Sequence, residues 1–438
     1  MRIDIVNGSI VTGDGKSVLE NTSVIIRDTL IAELPPVKYV PYNAQADKVI
    51  NADGGLIIPG LINIHAHGVT FGPFFPYAWK RLSEERVLNN LDAHLLQGTT
   101  TILSTDGLAL PSEVDIVNKI HPMNVKTCTD HTPKNIEAAE LIAGEGLEKW
   151  HKKFTAEEAV AAGAVALGEV GSPGTAYGTA EKGKKTGVVI SAKQALALDR
   201  AVFADNETEI RKALAEAGLG KMTLAEAKKL VEETSIIPVA ACCDAIIESI
   251  KYVKKLGVPV LVHSEPGMKE AILQAAREVG PKLIALHVNH GFTTDESLKL
   301  ARELKRLGAV VEIITADSFG ARQLKTSPES TFALLREGLA DVITTDFIGG
   351  YHDPMLLVLQ KAIEEKILTL PRAIQLATSA AAEIVPLVAP NRGLIAPGKV
   401  ADLCIVDRND ISKVRYVIIS GRVVVEGGRL SQTLGKSN

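Results

Sequence analysis

The chain has 438 residues, 46% of them apolar and 23% charged, with a net charge of −4, the profile of a soluble globular protein with a large core. That balance offers nothing to nucleic acid or an anionic membrane, and no apolar run approaches the ~20 residues of a membrane span. Cys128, Cys242, Cys243 and Cys404 show neither CxxC spacing nor a disulfide framework, and the opening Met-Arg-Ile-Asp-Ile-Val lacks a signal peptide's apolar core. A reducing cytoplasm is the expected compartment.

Residues 1–55 read as short strands, Ile3–Val6, Ser9–Thr12, Ser23–Arg27 and Leu30–Glu33, broken at Asn7-Gly8, Gly13-Asp14-Gly15 and Asp28. The apolar run from Leu56 to Ile64 reads as one buried strand that delivers His65-Ala-His67 and stops at Gly68. From there β-rich runs alternate with amphipathic ones. The strands are Leu61–His65, Thr99–Ser104, Val125–Thr129, Ala164–Val170, Val258–His263, Leu283–His287, Val310–Thr315 and Val342–Thr345. Helices are expected at Glu84–Leu96, Pro111–Lys119, Met268–Val279, Asp295–Leu307 and Pro328–Glu337. The stretch from Val170 to Val258 is too long for one crossover and carries Ala/Glu/Lys-rich segments, so a helical insertion at about 172–256 is expected. Leu403–Asp407, Val414–Ser420 and Val423–Glu426 repeat the texture of the N-terminal part. Eight βα units imply an α/β fold, a (β/α)8 TIM barrel over 59–388. Neither end buries a core alone, so 1–58 and 389–438 are expected to form one composite β-sandwich.

Active sites of such barrels lie at the C-terminal ends of the strands. Those ends carry His65 and His67 on the first strand, Glu169 on the fourth, His263 on the fifth, His287 on the sixth and Asp346 on the eighth. Side chains at i and i+2 of a strand emerge on one face, so the His65 and His67 imidazoles leave together. A single such pair is commonly a pair of loop hydrogen bonders. Four imidazoles and two carboxylates at one barrel mouth suit one or two divalent transition metals, zinc foremost, with iron, manganese and cobalt accepting the same ligands.

Together with Pro59-Gly60-Leu61-Ile-Asn-Ile-His65-Ala-His67 and the closing Gly393-Leu-Ile-Ala-Pro-Gly398-Lys-Val-Ala-Asp402, this pattern resembles the amidohydrolase superfamily over nearly the whole chain. The resemblance implies one metal on His65, His67 and Asp346 and a second on His263 and His287. Many members bridge the metals with a carboxylated lysine on strand four. Here Ala164-Val-Ala-Leu-Gly-Glu169-Val-Gly171 has no lysine, and Glu169 looks like the bridge, as in the enamidase-like branch. A single-metal site of the N-acyl deacetylase kind stays open.

The chemistry implied is hydrolysis of a C–N bond in a small cyclic amide, imide or N-acyl compound by metal-activated water, with Asp346 carrying the proton. Deamination of a heterocycle is the alternative, kept open by Glu265 after His263. Candidate substrate contacts are His290, Tyr351, His352, Asp130, His131 and Arg322, with Asp106 ending strand two and an aromatic loop, Phe71 to Trp79, over the mouth. The expected partner is a small-molecule substrate, and the expected assembly a homo-oligomer.

Overall fold

The computed structural model describes residues 1–36, 46–142, 144–172, 205–231, 237–315, 328–347 and 353–431, with positions 194, 197–198 and 201–202. Strands at Leu61–Ala66, Thr99–Ser104, Asn124–Thr127, Leu167–Val170, Val260–Val262, Leu283–Ala285, Val310–Ile314 and Val342–Thr344 follow one another in chain order. We number them one to eight. All pair in parallel, one to three in one sheet and four to eight in another. A single parallel bridge stands at each join, Ala66 with Phe347 and Thr129 with Leu167. Each strand is followed by a helix: Glu84–Leu96, Pro111–Ile120, Pro133–Ile142, Ile237–Leu256, Lys269–Val279, Thr294–Arg306, Pro328–Arg336 and Met355–Glu364. The α/β alternation read from the sequence is therefore present.

Helix starts follow local chemistry. Thr293 accepts the Glu296 N–H while the Glu296 carboxylate accepts from Thr293, a capping box that fixes the first turn of Thr294–Arg306. Within the long stretch after strand four, helices form at Glu207–Glu216, Leu224–Val231 and Ile237–Leu256. The last of these packs between Pro133–Ile142 and Lys269–Val279, in the place of a crossover helix.

One aliphatic cluster takes Ile62, Ile64, Leu103, Leu261, Ile284 and Val342 from strands that are not all hydrogen-bonded neighbours, so it lies between the two parallel sheets. A larger cluster covers the strands' other side against the helices. Both faces are buried, which explains why these strands are continuously apolar rather than alternating.

The run from Leu56 to Ile64 is not one strand. Leu56–Pro59 pairs with Ser9–Val11 and Leu403–Val406, and the chain then steps at Gly60 into strand one. A Cβ at Gly60 would lie 2.3 Å from the Thr100 hydroxyl, so only glycine passes there. The seven-stranded sheet containing Leu56–Pro59 combines strands from both ends of the chain. With a four-stranded sheet of Arg2–Val6, Val24–Arg27, Leu30–Glu33 and Lys48–Asn51 it shares a core of Ile3, Ile5, Ile26, Ile57, Leu403, Ile405 and Ile418. Among the described residues no helix is long and apolar enough to cross a membrane.

Candidate metal centre

The C-terminal ends of the parallel strands bring six residues together. His65 and His67 leave strand one with ring centroids 5.4 Å apart. Glu169 belongs to strand four, and His263, His287 and Asp346 follow strands five, six and eight. His287 (φ 36°) and Asp346 (φ 46°) adopt left-handed backbone, a conformation costly for non-glycine residues and concentrated at functional sites.

Glu169 touches all four imidazoles. Its Oε2 lies 3.3 Å from His65 Nε2 and 3.2 Å from His67 Nε2. Its Oε1 contacts His263 Nδ1 and lies 3.4 Å from His287 Nε2. Asp346 Oδ1 is 3.3 Å from His65 Nε2 and 3.5 Å from His67 Nε2. The six residues fall into two groups, His65–His67–Asp346 and Glu169–His263–His287, and in each the ligand-type atoms lie within 4.8 Å of one another.

Charge in the site is strongly coupled. Burial favours neutral imidazoles, but Asp346, Glu312 and Glu169 outweigh it and raise the His65 pKa well above its usual value. His67 is likewise buried, yet Asp106, Asp346 and Glu169 raise it to about 10. His287 is raised by Glu169 and Asp346 against its burial, whereas burial and His287 itself lower His263. Burial disfavours both carboxylates as anions. Even so, His263 and His65 hold Glu169 well below the usual range, and His65, His67 and His287 do the same for Asp346.

This donor set fits a divalent metal. His287 Nε2 and His263 Nδ1 stand 2.9 Å apart in a buried site, and two carboxylates among four imidazoles favour added positive charge. Mixed nitrogen and carboxylate-oxygen donors suit zinc, iron, manganese or cobalt.

The remaining candidates are placed unequally. The His290 ring lies 5.9 Å from that of His287, beside the site. Asp130 is 2% exposed, and burial together with Glu169 raises its pKa well above the carboxylate range. His131 turns toward the Phe154 ring, at 5.4 Å, and its Nδ1 lies 3.0 Å from Thr129 Oγ1. Burial, then His151, lowers its pKa to about 3. Arg322, Tyr351 and His352 lie outside the described residues. Phe75 of the aromatic loop covers His67 at a ring distance of 4.4 Å, and Tyr77 packs edge-on to Phe75.

Two carboxylates have roles the sequence reading did not give them. Asp106, expected as a substrate contact, lies with Oδ1 3.2 Å from His67 Nδ1 and accepts the backbone N–H groups of Gly68 and Phe75. Glu312, on strand seven, lies with Oε1 3.0 Å from His65 Nδ1. Its signal was present in Val310-Val-Glu312-Ile-Ile314, an acid inside an apolar strand, which is rarely buried without a partner.

The sequence model of the Amidohydrolase family matches residues 56–424, and the chain belongs to that family. It is a hydrolase acting on carbon–nitrogen bonds. A D-aminoacylase structure described by its binuclear metal centre superposes with a TM-score of 0.62 at 13% identity, covering 99% of this chain and 98% of that one. The β-aspartyl dipeptidase of Fervidobacterium islandicum AW-1 superposes at 0.58 with 15% identity, over 99% and 98%. At these identities the likeness is one of fold. Imidazolonepropionase of Salinispora arenicola is 37% identical over 70 residues, 15% of this chain and 17% of that protein.

Proposed function

We propose that the protein is a metal-dependent hydrolase of a small cyclic amide, imide or N-acyl compound. Its parallel strands are read as one (β/α)8 barrel, and the strands of 1–58 and 389–438 as a β-sandwich beside it. The observation that carries the reading is Glu169, one buried carboxylate in reach of all four strand-end imidazoles. In this reading His65, His67 and Asp346 hold one ion, His263 and His287 a second, and Glu169 spans both, as in the enamidase-like branch.

A bound divalent ion supplies Lewis acidity and lowers the pKa of water. The protein supplies the rest. Asp346 keeps 14% of its side chain exposed while the strand-end histidines of its own group are fully buried, so it is the carboxylate placed to meet substrate. The neighbouring imidazoles hold it as an anion, so its carboxylate oxygen is free of a proton of its own and can take one and return it to a leaving nitrogen. Phe75 over His67 keeps bulk water from that side of the site, which strengthens the interactions beneath it. Support for a ring amide comes from the stretch shared with imidazolonepropionase, whose name denotes an imidazolone, and support for an N-acyl substrate from the superposition on D-aminoacylase.

The test is turnover of metal-replete protein against lactams, cyclic imides, N-acyl amino acids and amino-substituted heterocycles, alongside metal analysis. Ring opening or deacylation with at least one bound equivalent supports the reading. Ammonia release from the heterocycles instead moves the assignment to a deaminase, and less than half an equivalent of metal removes the reading altogether.

A further inference from the structure

The two candidate metal groups differ in what stands behind their imidazoles. In the first group both outward-facing nitrogens meet a buried carboxylate: His65 Nδ1 meets Glu312 Oε1 at 3.0 Å and His67 Nδ1 meets Asp106 Oδ1 at 3.2 Å. Each carboxylate is held in turn. Glu312, fully buried, accepts the His287 backbone N–H and the Thr344 hydroxyl. Asp106, 1% exposed, accepts from Gly68 N at 3.1 Å, Phe75 N at 3.0 Å and Ser104 Oγ at 3.2 Å. In the second group the outward nitrogens, His263 Nε2 and His287 Nδ1, are buried with no hydrogen-bond partner among the described residues. Glu265 Oε1, at 4.0 Å from His263 Nε2, is beyond hydrogen-bond length.

A carboxylate behind an imidazole does three things for a ligand. It draws the proton to the outward nitrogen, so the lone pair faces inward. It fixes the ring's rotation before an ion arrives, and it raises the basicity of the ligating nitrogen. Partners of this kind are typically worth about 10–100-fold in metal affinity.

We infer that Glu312 and Asp106 are positioning residues that make His65–His67–Asp346 the tighter of two unequal metal sites, so that the protein fills that site first and surrenders the Glu169–His263–His287 ion first. The inference rests on the metal-binding reading above and adds an order to it.

The experiment is titration of metal-free protein with Co(II), followed by visible absorbance and by competition with a chelator. Wild type, Glu312→Gln, Asp106→Asn and His263→Ala are compared, with thermal melting of each metal-free form. Wild type should bind in two steps. Glu312→Gln and Asp106→Asn should each weaken the first step about 10–100-fold and change its absorption band, while His263→Ala should erase only the second. Asp106→Asn is the cleaner variant, because Glu312 also holds the His287 backbone. Two steps that neither carboxylate substitution moves would overturn the ordering and leave the metal reading intact. Equal weakening of both steps with a lowered metal-free melting temperature would reduce the two carboxylates to scaffold and also overturn it. Wild type that binds no Co(II) sinks the metal reading itself, and the ordering with it.

Discussion

Buried acids occur in two regions of this molecule and are neutralised differently. In the terminal sheets, Asp4 is met by Arg2 at 2.8 Å and Asp402 by Arg392 at 2.8 Å. Each has a guanidinium of its own, and the surrounding core is isoleucine, leucine and valine. At the C-terminal ends of the parallel strands, the buried Glu169 meets four imidazoles and Asp346 meets two. Arginine keeps its proton and cannot ligate a cation, whereas a neutral imidazole can. A buried acid that owns an arginine serves architecture, and one shared by several imidazoles serves chemistry.

The contrast breaks or sharpens under substitution. Asp346→Asn keeps the side chain's shape but not its basicity. It should lose about 10²–10⁴-fold in kcat while metal content and unfolding midpoint hold; near-normal turnover with normal metal would remove Asp346 from the chemistry. Asp402→Ala should do the reverse. It strands a partly buried Arg392 and the Ser420 N–H, so denaturant unfolding should register a loss of about 3–5 kcal/mol with metal content per folded molecule unchanged.

A third prediction concerns pH. Burial, then His151, lowers His131 to about 3 in the folded chain against 6.5 for the free side chain. The unfolded chain therefore binds the extra proton first. The contribution is complete above pH 6.5 and is lost as pH falls from 6.5 toward 3, at about 1.4 kcal/mol per unit. Between pH 7 and 5, wild type should lose roughly 2 kcal/mol more than His131→Asn; equal losses would refute the assignment. The smallest effect is expected at Lys48–Glu426, an exposed pair at 3.0 Å that links the two terminal sheets. Lys48→Ala should cost under about 1 kcal/mol, less still in high salt.

Much of this was legible in the sequence because strand-end polarity is a local signal. Strand two matches its expected bounds, and the others differ by one to three residues at their ends. At the C-terminal ends of strands five to eight the shifts fall where a histidine or threonine leaves the ladder, whereas strand four starts three residues later than expected, at Leu167. The Leu56–Ile64 run misled because hydropathy is blind to which sheet a strand joins, and only the crowding of Gly60 by Thr100 marks the step. The carboxylates behind His65 and His67 were hidden for another reason. Glu312 and Asp106 lie 247 and 39 residues from the imidazoles they hold, so no spacing rule links them.

The pairing of Leu56–Pro59 with Leu403–Val406 also fixes a timetable for biosynthesis. A ribosome must add about 340 residues between the two partners, which at ~5–20 residues per second leaves the earlier strand waiting roughly 20 to 70 seconds. Throughout that interval an isoleucine-rich edge is translated but unpaired, with its unused N–H and C=O groups open to any other extended chain. A ribosome stalled after strand eight would thus hold a chain carrying the strand-end ligands and lacking the strand that pairs with Leu56–Pro59.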